Sequence, residues 1–371
     1  MGWRCSFSAT FSLRSRFWRW SSRTTARAKR NGCSLPSAGS GTRTARTWPG
    51  RADSSRGSVR RTDLSGDGAR PSVRVLVAGA GGFIGSELTN VLLQRGHSVI
   101  AFGRTAAKLN GLPPSVDKRP GDVRDSDAVR RAAKDCDAIA HLALPDITVK
   151  YREAYPIWIE GTRNLLAAAV ERGMRGFAIA SGAVGAYRHE PGAWVDESTP
   201  EGLRNRVTQG RGEADDLARA ASRNHGLPLS VVRPPIVYGR GGPFGTYILG
   251  YMRRGRYRVV GDGANYMGFV HVGDCALAFA LALEGAHGDE TFIVVDETPI
   301  TLREASDVIA QALGVPRPKT VPPFLAQLVL GKASVQIITE SQRLRNAKMK
   351  ARFGWTPRYA SLRDGLPSVL A

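Results

Sequence analysis

A glycine-rich turn near residue 79 constrains this chain more than any other feature. The apolar run VRVLVA leads into glycines at positions 79, 82 and 85, and the helical pattern FIGSELTNVLLQRG follows. This order predicts a β-strand, a tight turn and an α-helix in immediate succession. Gly79 would make the turn, Gly82 would let the backbone approach a ligand, and Gly85 would let helix and strand pack closely.

A helix that begins at such a turn presents free N–H groups and a partial positive charge to an anion. The motif therefore predicts a site for the pyrophosphate of a dinucleotide. We expect this cofactor-binding loop to comprise Gly79, Gly82, Phe83, Ile84 and Gly85. The alternative is a tight strand–helix turn without a ligand.

Short apolar runs alternate with amphipathic stretches from residue 73 onward, a pattern typical of βαβ units. The sequence therefore predicts an α/β fold, with a Rossmann-type doubly wound parallel sheet and a smaller C-terminal α/β substrate domain. Strands are predicted at 73–79, 97–103, 137–144, 175–181 and 227–234, and helices at 83–96, 125–134, 151–173, 213–224, 273–284 and 302–313.

Three regions are expected along the chain. Residues 73–235 would form the NAD(P)-binding Rossmann domain, completed by about 269–298, and residues 236–371 would mainly bind substrate. Residues 1–72 would be a disordered basic segment, with 15 Lys/Arg against 3 Asp, part of a net charge of +21. This segment is interpreted as an organelle transit peptide, as a basic arm for an anionic partner, or, preferably, as translated sequence upstream of the true start.

The composition also limits the functional classes. More than half of the net charge belongs to residues 1–72, so the basic balance is weak evidence for nucleic-acid binding by the fold. The four cysteines lack metal or redox spacing, so we expect no metal site and a reducing, cytoplasmic location, with organelle import as the alternative. No run of 18 apolar residues occurs, so no membrane partner is expected.

The end of the second predicted strand bears on the choice of cofactor. An NAD site usually places a carboxylate there for the ribose 2′-hydroxyl, but this strand ends in AFGRT, with Arg104. A guanidinium favours a 2′-phosphate, so NADP is predicted, with NAD as the alternative. In GDVRD, Asp122 is predicted to accept from the adenine amino group and Val123 to lie against the ring; a plain turn is the alternative.

Eight collinear motifs resemble the NAD(P)-dependent epimerase/dehydratase family, the extended or atypical short-chain dehydrogenase/reductases. The resemblance covers nearly all of residues 73–371 and is carried by AGAGGFIG, GDVRD, AHLAL, EGTRNLLAAA, WVDESTP, RPPIVYG, FVHVGDCALAFALALE and NAKMKARFGWTPRYASLRDGL. It implies that AHLAL, with Leu142 and Ala143, lies along the cofactor. It also implies that RPPIVYG, with Pro234, lies near the nicotinamide.

The resemblance further implies a Tyr-x-x-x-Lys pair on one helix and a Ser at the end of the preceding strand. Ser181 matches that serine, but the pair falls on Val207 and Arg211 in RNRVTQGRGEADD. Valine has no proton to give, and arginine holds its proton too tightly to transfer it, but Arg211 could still contact the ribose or a phosphate at the active site. Tyr187, in SGAVGAYRHE, is a candidate replacement proton donor; packing at the domain interface is the alternative. The nearby His189 is expected at a solvated loop tip.

A second departure from the family concerns the substrate. Sugar-nucleotide enzymes of this family usually carry an arginine where this chain has Met267 and Gly268. The sequence therefore leaves open an NAD(P)-linked oxidoreductase or epimerase/dehydratase acting on a small carbonyl, alcohol or sugar-like molecule. The alternatives are a cofactor-binding sensor or assembly protein without hydride transfer and, more weakly, a nucleic-acid binder. A homodimer is a further expectation from the resemblance.

Overall fold

A computed structural model describes residues 72–145, 149, 151–202 and 208–370. The expectations for the basic N-terminal segment therefore lie outside the described residues except at Ser72, and so does Val207. The strands are β1 (Arg74–Ala78), β2 (Ser98–Gly103), β3 (Asp117–Pro120), β4 (Ala138–His141), β5 (Gly176–Ala180), β6 (Ala193–Val195), β7 (Leu229–Arg233), β8 (Ile236–Tyr238), β9 (Val259–Val260), β10 (Tyr266–Met267), β11 (Phe269–His271), β12 (Asp289–Ile293), β13 (Ile300–Thr301), β14 (Thr320–Val321) and β15 (Gln342–Leu344).

The helices alternate with these strands, and two π-helical segments, Ile157–Gly161 and Phe244–Leu249, lie among them. The α-helices are α1 (Phe83–Gln94), α2 (Ala106–Asn110), α3 (Ser126–Ala132), α4 (Tyr151–Pro156), α5 (Thr162–Glu171), α6 (Gln209–His225), α7 (Gly250–Arg253), α8 (Val272–Glu284), α9 (Leu302–Leu313), α10 (Pro323–Leu330), α11 (Lys332–Ile338), α12 (Ala347–Phe353) and α13 (Leu362–Leu370).

One seven-stranded sheet organises the N-terminal two thirds of the described chain. Its order is β12-β7-β5-β4-β1-β2-β3, and every neighbouring pair is parallel. The strand order reverses between β1 and β4, which creates a crevice outside the carboxyl ends of the strands. The predicted α/β fold with a doubly wound parallel sheet is therefore confirmed.

Two apolar clusters cover the two faces of this sheet, as a parallel sheet requires. The central strands β4, β5 and β7 are buried along their whole length, which explains why most of their residues are apolar. One cluster joins the sheet to α1, α8 and α12, and the other joins it to α3, α5 and α6. These two layers hold the carboxyl ends of the strands at one edge, where a ligand can bind.

The region after Tyr238 forms a smaller α/β part with its own apolar cluster. Tyr238, Phe244 and Phe269 pack there against α9 and α13, and short strand pairs such as β10–β13 and β9–β14 surround them. This arrangement matches the expected C-terminal α/β region. None of the described helices is both long and apolar enough to cross a membrane.

The sequence pattern missed parts of the sheet. The strand β3 reads DKRP and is half exposed at the sheet edge, so it carries no apolar run for the pattern to detect. The strand β12 reads DETFI, and only its last two residues are buried. Helix α6 begins at Gln209, four residues before the predicted start at Glu213. The sequence pattern missed this first turn because the turn is polar and has no apolar stripe.

Candidate active site

The glycine loop follows β1 and leaves no space for side chains. Gly79 has φ +91°, and a Cβ placed on it would lie 2.6 Å from the Leu142 carbonyl oxygen. A Cβ at Gly85 would overlap the Gly79 carbonyl oxygen, and one at Gly82 would lie 3.0 Å from the same atom. These contacts exclude a side chain at Gly79 and Gly85 and leave a tight fit for one at Gly82, so the loop brings bare backbone to the crevice.

The first turn of α1 completes this loop. Gly82 is the N-cap and offers no side chain, so the first N–H groups of the helix, at Phe83 and Ile84, are free to meet an anion. The ring of Phe83 packs against Gly239 and Gly242, on the segment that follows β8. The loop is thus held between β1 and the segment that connects to the C-terminal region.

The strand ends beside the loop are those that the resemblance places along the cofactor. Leu142 donates its N–H to the Ala78 carbonyl at 2.8 Å, and Ala143 follows it at the carboxyl end of β4. Farther along the sheet edge, the Pro234 carbonyl accepts from the Ala183 N–H at 3.1 Å. The predicted cofactor-binding positions from both halves of the sheet therefore occur along one edge; their contacts with a cofactor stay a prediction.

Arg104 and Asp122 follow the neighbouring strands β2 and β3. Arg104 is exposed at the end of β2, and its charge helps to lower the pKa of Asp122. The main cause is Arg124, whose guanidinium donates to both carboxylate oxygens of Asp122 at 3.0 and 2.7 Å. Val123 is 5% exposed and packs against Gly161. The predicted adenine contact of Asp122 is untested, and Arg124 is a partner that the sequence reading missed.

A buried polar cluster lies at the carboxyl ends of β5 and β7. The Ser181 hydroxyl donates to Asp215 Oδ2 at 2.8 Å, and Arg233 Nη2 donates to the same oxygen at 2.9 Å. The Arg233 side chain is 2% exposed and also pairs with Glu201 at 2.7 Å. Burial is the largest single influence and opposes the charge of Arg233, but Asp215, Tyr187 and Glu201 together outweigh it and raise the pKa of Arg233. The predicted serine is thus fixed by a buried ion pair.

Arg211 joins this cluster from the first turn of α6. Its side chain lines a cavity of about 20 Å³, together with Ser181, Asp215 and Arg233. The Nε of Arg211 and the Oδ1 of Asp215 are buried, and neither makes a hydrogen bond within the described part of the chain. A cavity of this size can hold one water or one substrate oxygen. Ser181 and Arg211 therefore reach a common polar space.

Tyr187 lies behind this space. It is 5% exposed, packs with Val195 and Leu344, and has the Arg233 guanidinium 5.1 Å from its ring centroid. Burial raises the pKa of its phenol. Residues 184–186 line the cavity, but Tyr187 is not among its lining residues. This placement corresponds to the interface alternative, and its catalytic role stays a prediction.

The remaining polar side chains considered in the sequence have structural partners. The prediction that His189 lies at a solvated loop tip is wrong. Its side chain is 7% exposed, and its Nε2 lies 3.1 Å from Glu340 Oε1. Burial lowers the pKa of His141 to about 4, and its Nε2 lies 2.9 Å from the Thr162 hydroxyl. Within the described ranges, no group of three His, Cys, Asp or Glu side chains could hold a metal ion.

Asp215 is the main residue of this cluster that sequence reasoning missed. It stands four residues after Arg211 on α6, so both side chains occupy one helix face. That spacing was available as a signal, but nothing in it indicates that Arg233, on another strand, completes the pair. Only the fold brings Asp215, Arg233 and Ser181 together.

These features define a dinucleotide-binding α/β protein with a polar pocket beside the cofactor crevice. The bare glycine turn and the uncapped start of α1 fit a pyrophosphate, and the crevice runs from there along the strand ends toward Ser181. The residues present therefore fit a bound NAD(P).

Comparison with known proteins agrees with this class. The model of the NAD dependent epimerase/dehydratase family matches residues 75–294, and the chain belongs to this family. A 3-diazoavenalumate denitrifying reductase from a Streptomyces species is 28% identical over 311 residues, which is 79% of this chain and 99% of the relative. The 2-alkyl-3-oxoalkanoate reductase of Stenotrophomonas maltophilia (strain K279a) is 28% identical over 256 residues, covering 66% of this chain and 77% of the relative.

A solved structure gives the same answer for the fold. The UDP-glucose 4-epimerase of Thermus thermophilus, in complex with NAD, superposes with a TM-score of 0.67 and 26% identity, covering 80% of this chain and 97% of that chain. The chain is thus an NAD(P)-binding protein of the epimerase, dehydratase and reductase type, with an α/β architecture like that of the epimerase.

Proposed function

We propose that this protein is an NADP-dependent oxidoreductase that interconverts a carbonyl and an alcohol on a small, non-nucleotide substrate. The observation that carries the proposal is the polar cavity where Ser181 and Arg211 meet, on the same sheet edge as the glycine loop. Both relatives described above are reductases and are similar to this chain over most of its folded part, which supports reduction. The 2-alkyl-3-oxoalkanoate reductase is named for an oxo substrate, which supports a carbonyl as the reduced group.

The cofactor would be held by the glycine loop, with Arg104 placed for a 2′-phosphate. Arg104 is exposed at the end of β2, and no carboxylate occupies that strand end. A planar guanidinium suits a phosphate, which supports NADP over NAD. When bound, this cofactor supplies or accepts the hydride.

Ser181 and Arg211 would act on the substrate oxygen. Ser181 Oγ donates its only proton to Asp215, so in this arrangement it can accept a hydrogen bond from a substrate hydroxyl group in the cavity. To donate to a substrate carbonyl, the Ser181 hydroxyl would turn away from Asp215. Arg211 would stabilise negative charge on that oxygen from a buried position, where electrostatic interactions are strong. Asp215 acts through Ser181, so it is a positioning residue.

The proton donor is the open part of this mechanism. The position where the family carries its tyrosine is Val207, and we propose that Tyr187 takes that role through movement of the loop at residues 182–188. Burial raises the pKa of the Tyr187 phenol in the position that the structure shows, so the phenol is protonated before the loop moves. A proton donor of that kind can protonate an alkoxide as the hydride arrives.

A small carbonyl fits better than a nucleotide sugar. A Cβ at Gly268 would lie 2.9 Å from the Pro235 ring and 3.0 Å from the Leu344 side chain, so an arginine cannot stand there without displacing them. The packing around Gly268 therefore leaves no room for the arginine that holds the diphosphate in sugar-nucleotide enzymes, which supports a substrate without a diphosphate.

A non-catalytic cofactor-binding sensor is the second candidate. It is favoured by the hydrogen bond that already occupies the Ser181 hydroxyl and by the burial of the Tyr187 phenol. A cytoplasmic location is also proposed, because both described cysteines, Cys136 and Cys275, are free and buried. Dimer formation and nucleic-acid binding stay predictions.

A titration with NADPH followed by turnover on a panel of carbonyl substrates tests the proposal. Ser181→Ala should lower kcat/KM by about 100-fold and leave the Kd for NADPH within about twofold, because the serine acts on substrate rather than cofactor. Ser198→Ala, at an exposed turn serine, is the matched control. Tight NADPH binding without turnover of any carbonyl would favour the sensor. If the protein binds neither NADPH nor NADH, both the oxidoreductase and the sensor are refuted.

A further inference from the structure

Helix α10 presents an apolar face to solvent. Its side chains Phe324, Leu325, Leu328 and Val329 are 67%, 43%, 82% and 65% exposed. A surface helix normally keeps its solvent face polar and turns one apolar stripe toward the core. In α10 the inward stripe is already supplied by Ala326 and Leu330, so the outward face is a second, unpartnered apolar stripe.

Positive charge borders this apolar face. The strand β14, which precedes α10, pairs with β9, and the Val259 N–H donates to the Lys319 carbonyl at 3.0 Å. This pairing brings the backbone of Arg258, the residue before β9, next to Lys319, which stands shortly before α10 in the chain. We define the α10 surface as the four exposed apolar side chains together with four exposed cations: Arg256, Arg258, Lys319 and Lys332.

Acidic residues are nearly absent from this region. The sequence has none between Asp216 and Asp262 or between Asp307 and Glu340. Asp307 is paired with Arg317 at 2.9 Å, so it neutralises that arginine rather than the α10 surface. Asp262, two residues after β9, offsets one of the four cations, so the α10 surface keeps a positive excess.

We propose that the α10 surface docks this protein on an anionic lipid membrane. Large apolar side chains flanked by cations are the combination that enters the boundary between lipid headgroups and acyl chains. The cations would meet lipid phosphates while Phe324 and Leu328, one helical turn apart, insert beside them. Pairing of two copies through this face is disfavoured, because it would bring eight like charges together. The sequence-based expectation of no membrane partner rested only on the absence of an apolar run long enough to span a membrane, and it did not address binding at the membrane surface.

Co-sedimentation of the full-length protein with vesicles tests this proposal. One set of vesicles contains phosphatidylcholine alone, and the other contains phosphatidylcholine and phosphatidylglycerol in equal parts. The double variant Phe324→Ser with Leu328→Ser should lower partitioning onto the anionic vesicles by about tenfold. Because both side chains are mostly exposed, NADPH binding and thermal stability should stay unchanged. The basic N-terminal segment is the same in all variants and cancels in the comparison.

Charge variants separate the headgroup contribution. Lys319→Glu with Lys332→Glu should lower partitioning and weaken its dependence on salt. Lys134→Glu with Arg223→Glu makes the same charge change at exposed positions elsewhere on the surface and should leave partitioning within about twofold. If the serine double variant partitions like the wild type, the proposal is refuted. Loss of a concentration-dependent dimer in that variant, without an effect on vesicles, would assign the face to self-association instead.

Discussion

Gly85 shows most directly how a single residue governs this site. A Cβ there would overlap the Gly79 carbonyl oxygen and lie 2.8 Å from its carbonyl carbon, so helix α1 could not approach β1. The same close approach positions the helix N-terminus at the crevice. We therefore expect both the stability of the fold and cofactor binding to depend on the absence of a side chain at Gly85.

We predict that Gly85→Ala lowers the free energy of unfolding by about 1–3 kcal/mol, because the added methyl group overpacks a rigid contact. NADPH affinity should fall as well. Urea unfolding and NADPH titration measure the two effects. Gly245→Ala is the matched control: a Cβ at that helical position meets no heavy atom within 4 Å. Equal stability of the two variants would contradict the prediction.

At the scale of elements, the carboxyl ends of neighbouring strands decide which side chains meet. Gly103 pairs with Pro120 across β2 and β3, so Arg104 and Asp122 emerge from adjacent strand ends. Sequence reasoning found both residues from their positions after strands. It did not find Arg124, because the pairing of Asp122 with Arg124 depends on the turn that follows β3.

Arg104→Ala should discriminate between the two cofactors. We expect the Kd for NADPH to rise by about 10- to 100-fold, since a charge-assisted hydrogen bond to the 2′-phosphate is lost. The Kd for NADH should change less than about twofold. Fluorescence titration of both cofactors measures this, with Arg223→Ala, an exposed arginine at the end of α6, as control. Parallel weakening of NADH and NADPH binding would argue against a 2′-phosphate contact.

At the scale of the whole molecule, Asp296 stands where the sheet meets the C-terminal region. It follows β12, its N–H donates to the Phe269 carbonyl at 2.8 Å, and it is 6% exposed. Burial raises its pKa to about 8, despite hydrogen bonds from the backbone of Thr298 and Leu362. The folded protein therefore keeps a proton on this carboxyl group at a pH where the unfolded chain has lost it.

This difference makes stability fall as pH rises. Below about pH 4 both states are protonated, and between about pH 4 and pH 8 each pH unit costs on the order of 1 kcal/mol. Asp296→Asn should remove the part of the slope that Asp296 contributes, while Asp215 and Asp274, whose pKa values burial also raises, keep their own parts. Urea unfolding at about pH 5 and about pH 7.5 measures it, with the exposed Asp262→Asn as control. An unchanged slope in Asp296→Asn would show that another group is responsible.

Local sequence was sufficient to predict the strand–turn–helix unit at the glycines and most strands of the sheet, whereas the cofactor contacts stay predictions. The glycine turn, the alternating strands and helices and Arg104 depend on short-range patterns: a backbone angle, an apolar period and a position after a strand. The C-terminal helices at 273–284 and 302–313 were found for the same reason, and α8 and α9 match them closely.

The polar half was decided by tertiary structure. Ser181 follows β5, Asp215 lies on α6 and Arg233 ends β7, and only the packing of α6 against the sheet brings Asp215 within 3 Å of the other two. Burial then fixes their charges, places Tyr187 behind the cavity and leaves the outer face of α10 exposed. These outcomes depend on which surfaces meet across long sequence distances, a quantity that no local pattern encodes.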